Sequence, residues 1–140
     1  MHKNCITIGN KSCEIGQNFA QLLIEEGVDI VLQGHDHDYQ RSHSLGIVQP
    51  GTFPSGAVVD DGSDNEYFRG AGTVFVIVGT VGKSLNTCSH FDSEYKYFAV
   101  HLCREEGNSK GYLLINATDT RMDMEFIAVD GTFQDTFSIH

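Results

Sequence analysis

The 140 residues have the size of one folded unit, and a composition of 40% hydrophobic and 20% charged residues excludes disorder and collagen-like repeats. A net charge of −10 repels phosphate backbones and anionic lipid heads, so nucleic acid and membrane surfaces are not expected as partners. No apolar run approaches the roughly 20 residues that span a bilayer, and the N-terminus lacks the basic start and apolar stretch of a secretory signal.

Ile15, Phe19, Leu22 and Leu23 recur at the spacing of an amphipathic helix, which places a helix over Glu14 to Glu26, ended by Gly27. Val28 to Leu32 follows at once as a short β-branched run, a strand buried by helices that stops at Gly34. Ligands gather at the carboxyl ends of strands in such α/β units. The residues found there are Gly34-His35-Asp36-His37-Asp38-Tyr39. From Pro50 to Gly72 the chain is rich in Gly, Pro, Ser and Asp and reads as a long surface excursion.

Strands dominate the second half. Thr73 to Val78 is a buried strand, Tyr97 to Leu102 a weaker one and Gly111 to Asn116 another. Met122, Met124 and Phe126 alternate with Asp123 and Glu125 as in a half-exposed strand, and Asp130-Gly131 turns the chain into a last strand over Thr132 to Ile139. Gly79, Gly82 and Lys83 lack the spacing of a phosphate loop and read as a turn. Asn10-Lys11-Ser12 and Asn116-Ala117-Thr118 fit the glycosylation pattern, which is too common to assign.

Cys5, Cys13, Cys88 and Cys103 show no CxxC spacing and are too sparse for a disulfide scaffold. Buried or unpaired thiols are expected, a Cys5 to Cys13 bridge across one short loop being the main exception. This cysteine usage leaves the compartment open.

His35 and His37 are two apart in a segment expected to be extended, where the two-residue period puts both imidazoles on one face. Such a pair can hold one metal ion or two adjacent ones. Asp36 and Asp38 point the other way by the same parity and are expected to orient the loop or add negative potential. Tyr39 and Arg41 share the histidines' parity, which leaves two readings open, contact with a substrate phosphate or packing and loop anchoring. His43, His90, His101 and His140 have no spacing partner and read as surface or satisfied core residues.

The string Val28-Asp29-Ile30-Val31-Leu32-Gln33-Gly34-His35-Asp36-His37-Asp38-Tyr39-Gln40-Arg41 resembles the last metal-binding block of the calcineurin-like metallophosphoesterases, in their purple acid phosphatase-like branch. Met1-His2-Lys3 before the helix, Gly72 to Gly79 and Gly111 to Phe137 resemble neighbouring segments of the same family. The resemblance thus covers essentially the whole chain, 1–140, and only the family's second half. It implies an α/β fold, the C-terminal half of an αββα sandwich, mostly strands after one helix. The family's Asp-x-His, Gly-Asp-x-x-Asp and Gly-Asn-His-Asp/Glu motifs are absent from these residues. A fragment or internally started product is therefore expected.

By the same resemblance, His2 and His35 would bind one metal of a pair and His37 the other. The cofactors implied are two divalent or trivalent ions of iron, zinc or manganese, and the substrate a phosphate ester. The partner implied is the missing N-terminal half or a complementing chain. The isolated chain is expected to hold at most one ion weakly and to hydrolyse little. Alternatives are a non-catalytic metal-binding or partner-binding module, or one half of a split enzyme. A cupin-like barrel also uses His-x-His but expects a Glu shortly after, and positions 38 to 44 contain none.

Overall fold

A computed structural model describes residues 1–47 and 58–140. The elements are α1 (Gln17–Glu25), β1 (Ile30–Gln33), β2 (Tyr39–Leu45), β3 (Val58–Asp60), β4 (Glu66–Tyr67), β5 (Thr73–Val78), β6 (Phe98–Leu102), β7 (Gly111–Ala117), β8 (Met122–Ala128) and β9 (Gln134–Ile139). No helix among the described residues is long and apolar enough to cross a membrane.

The strands form two sheets. The first runs β1-β5-β2-β3, with β6 also paired to β2, and the second runs β4-β9-β8-β7. β5 lies between parallel β1 and antiparallel β2, so both its edges are bonded. Both its faces are covered too, which is why its sequence is an unbroken apolar run. Phe75 packs with Ala20 and Ile24 of α1 on one face, while Val74 and Val76 pack with Phe126, Phe137 and Met124 of the second sheet on the other. The layers are therefore helix, sheet and sheet, with one core on each face of the first sheet.

Several expectations need correction. The helix begins at Gln17 because Gly16 takes a left-handed φ of 84° that a helix cannot continue. Its buried residues are Ala20 and Ile24, whereas Phe19 and Leu22 face solvent, so the true stripe is rotated from the expected one. The excursion over Pro50 to Gly72 lies partly outside the described residues, and over 58–72 it contains β3 and β4. Both cysteine pairs are bridged, Cys5 to Cys13 and Cys88 to Cys103, so no described thiol is free. The second bridge joins the end of β6 to a distant loop, aligned by Arg104 N–H donating to the Asn86 carbonyl at 2.9 Å.

β2 extends directly from the histidine loop although its sequence, Tyr-Gln-Arg-Ser-His-Ser-Leu, is mostly polar. Nearly all of it is buried, and Tyr39, Gln40, Arg41, Ser42 and His43 each bond a partner distant in sequence. Gln40 accepts from Ile8 N–H at 3.0 Å and donates to Thr7 Oγ1 at 2.9 Å, and Ser42 Oγ accepts from Phe75 N–H at 2.8 Å.

Candidate functional site

The chain start lies against β1: the Gly34 N–H donates to the His2 carbonyl at 3.0 Å, and Gln33 Nε2 donates to the Lys3 carbonyl at 3.1 Å. This pairing sets His2 beside the loop that leaves β1. His2 Nε2 comes to 3.1 Å from His35 Nδ1, with the ring centroids 4.9 Å apart. The opposite nitrogen of His35, Nε2, lies 2.8 Å from Glu14 Oε1, and Lys3 Nζ holds the other Glu14 oxygen at 2.7 Å. Lys3 and His35 together hold the Glu14 carboxyl down at about 2.

His35 has φ 65°, in the left-handed region that a non-glycine residue rarely takes. The extended period is therefore broken at His35, and parity does not relate its ring to that of His37. The structure brings His2 and His35 together. It does not bring the His37 ring into hydrogen bonding with either among the described residues; His37 contributes its carbonyl, which accepts from Asn86 N–H at 2.7 Å.

Asp36 orients the loop, as expected. It is fully buried and accepts from Thr7 Oγ1 at 2.8 Å, Asn86 Nδ2 at 2.8 Å, and the N–H groups of Asn10 and Lys11 at 3.2 Å. A Cβ at Gly79 would collide with the Asp36 carbonyl, so the exit of β5 must be glycine for the loop to pass. Asp38 is buried beside Asp36, and burial, then the Asp36 charge, pushes its carboxyl up to about 8. Its Oδ1 has no hydrogen-bond partner among the described residues. The neighbouring Cys88 and Cys103 sulfurs are tied in a disulfide and offer no thiolate.

Tyr39 and Arg41 are not on the loop surface. They point between the sheets and are 0% and 1% exposed. Arg41 forms a two-point ion pair with Asp135, and Tyr39 Oη donates to Asp135 Oδ2 at 2.7 Å. Of the two readings, the phosphate contact is therefore corrected to anchoring, because every strong donor of these side chains is engaged inside the protein. Burial, then Asp135, pushes the Tyr39 phenol well above its usual range.

Glu14 was not visible as a site residue in the helix pattern. The signal that could have found it is Cys13: a bridge to Cys5 draws the following residue back beside His2 and Lys3.

The donor set fits a metal ion in part. Two ligand atoms about 2.1 Å from one ion stand 3.1 Å apart when they subtend nearly a right angle. His2 Nε2 and His35 Nδ1 therefore form an edge that one ion can occupy. Glu14 uses the remaining nitrogen of His35, so it orients the ring instead of completing the same ion's shell.

No family model matches the sequence, and no curated protein matches it. The structure is similar to that of the purple acid phosphatase PPD1 isolated from yellow lupin (Lupinus luteus) seeds, with a TM-score of 0.71 and 19% sequence identity. The likeness covers 99% of this chain and 24% of that one, so the chain spans about a quarter of the length of that protein. The shared fold is the mixed α/β arrangement of one helix and mostly strands that the sequence led us to expect.

Proposed function

We propose that this chain supplies the histidine-bearing part of a dinuclear metal site that hydrolyses phosphate esters, with His2 and His35 toward one ion and His37 toward the other. The observation that supports this most is the 3.1 Å approach of His2 Nε2 to His35 Nδ1 at the carboxyl end of β1, on a fold shared with a purple acid phosphatase. Bound iron, zinc or manganese would make hydroxide available near neutral pH and clamp the phosphoryl oxygens. The chain's own residues do the positioning. Glu14 accepts from His35 Nε2–H and thereby selects the tautomer whose Nδ1 lone pair faces His2. Asp36 ties the loop to residues 7–11 and to Asn86, so the segment carrying His35 is held from two sides.

The remaining ligands in such a site are carboxylates from motifs these 140 residues do not contain. An N-terminal half of the same protein, or a complementing chain, would have to bring them beside His2. β1 and β7 are the terminal strands of their sheets, and a groove lined by Leu32, Val78, Val81, Tyr112 and Ile115 runs past His2. The same groove favours a second reading, one half of a split enzyme or a partner-binding module without turnover of its own.

Hydrolysis of an aryl phosphate should be measured with zinc, manganese or iron, with and without a polypeptide carrying the Asp-x-His, Gly-Asp-x-x-Asp and Gly-Asn-His-Glu motifs. Little turnover by the chain alone is expected. Turnover on complementation should be lost in His35→Ala and in His37→Ala. Metal-dependent turnover that survives both substitutions overturns the proposal, and binding of the complement without turnover favours the second reading.

A further inference from the structure

His90 and His101 are 11 positions apart in sequence, with no motif linking them. The fold nevertheless brings them together. The Cys88 to Cys103 bridge closes the intervening loop, and each histidine lies two residues inside its own cysteine. His101 is fixed on β6 by pairing opposite Gln40, and Glu106 follows in the turn after Cys103. His90 Nε2 and His101 Nε2 each stand 3.5 Å from the same oxygen, Glu106 Oε1.

That distance is long for an N–H···O hydrogen bond. It agrees with the roughly 3.4 Å that separates two ligands of a tetrahedral ion bound at 2.0–2.1 Å. All three donor atoms lie within 4.8 Å of one another. The other Glu106 oxygen accepts from Cys103 N–H at 2.8 Å, which fixes the carboxylate's direction. Tyr95 walls the cluster, its ring centroid 5.2 Å from that of His90 and 5.6 Å from that of His101. His101 is mostly covered while His90 is half exposed, so an ion has both a fixed seat and an entry path. The chain's net negative charge favours cation entry.

We propose that His90, His101 and Glu106 form a mononuclear site for a zinc-class divalent transition ion, separate from the histidine loop after β1. Two imidazoles and one carboxylate leave a fourth position for water, and this donor set prefers zinc or a similar ion over magnesium or calcium. The bridge preorganises the site, because both histidines are carried by segments it holds together.

The test is a zinc titration of the full, disulfide-intact chain carrying His2→Ala, His35→Ala and His37→Ala, which removes the loop imidazoles. One zinc per chain is expected. Adding His90→Ala, His101→Ala or Glu106→Gln removes a direct ligand and should lower the affinity by at least the roughly 10–100-fold that loss of a mere outer-shell partner costs. Affinity unchanged by His90→Ala and His101→Ala, or no zinc bound at all, overturns the proposal. A second measurement needs no substitution: in the unaltered chain, zinc should shift the Nε2 resonances of His90 and His101. Shifts confined to His2, His35 and His37 would overturn the assignment while leaving the loop site standing.

Discussion

Arg41 and Asp135 join the two sheets through a two-point ion pair, Nε to Oδ2 at 2.8 Å and Nη2 to Oδ1 at 2.9 Å. Arg41 comes from the strand that leaves the histidine loop, and Asp135 from β9 at the end of the chain. The guanidinium also lies 4.8 Å from the Phe137 ring centroid and donates to the Tyr67 hydroxyl. Position and partners make this pair the polar centre of the sheet-to-sheet interface.

Removing one partner strands the other charge in a dry interface. Arg41→Met or Asp135→Asn should each destabilise the chain by about 3–5 kcal/mol. Urea unfolding checks this, and Arg41→Met combined with Asp135→Leu should recover part of the loss.

The left-handed conformation of His35 gives a second test. Alanine and glycine both delete the imidazole, but only glycine relieves the backbone. His35→Gly should therefore be more stable than His35→Ala by about 1 kcal/mol in metal-free buffer. Equal unfolding midpoints would show that the loop carries no such strain.

The Cys88 to Cys103 bridge closes a loop of sequence separation 15. Chain-entropy reasoning gives such a loop about 3 kcal/mol of stabilisation. Cys88→Ser with Cys103→Ser should lower the unfolding free energy by about that amount, measured against the oxidised parent.

Glu94 supplies a pH test away from the histidine loop. Burial raises its carboxyl above the usual range, although its Oε2 accepts from Thr7 N–H at 3.0 Å. A raised folded-state value means that the native chain holds the proton more tightly than the unfolded chain. Glu94 thus favours folding below the ordinary carboxylate range, and that contribution is lost as pH rises through the raised value. Glu94→Gln should flatten the decline, as read from unfolding midpoints across that interval.

Legibility in the sequence followed the physical origin of each element. β5 was readable to the residue, because a strand bonded on both edges and covered on both faces must be continuously apolar. β8 was equally plain, since one face meets the intersheet core and the other meets solvent. The helix was readable as a helix, but its buried stripe was not: Phe19 and Leu22 are apolar yet exposed, and the core contact falls to Ala20 and Ile24. β2 left no periodic trace, because its buried polar groups are satisfied by Asp135, Thr7, Ile8 and Phe75, all distant in sequence. At the candidate site, the positions of His2 and the histidine loop were readable by resemblance, their role as ligands being a proposal. Glu14 was not, because its position depends on a bridge from Cys13 back to Cys5.

By itself the sequence determined the strand cores, the loop after β1 and the histidines there, because hydrophobic periodicity and local motifs are written between near neighbours. The tertiary structure alone decided that Arg41 turns inward to Asp135, that His35 faces His2 and Glu14, and that His90 and His101 converge on Glu106. Each of these is a meeting of side chains far apart along the chain, and chain folding, not spacing, sets the distance between them.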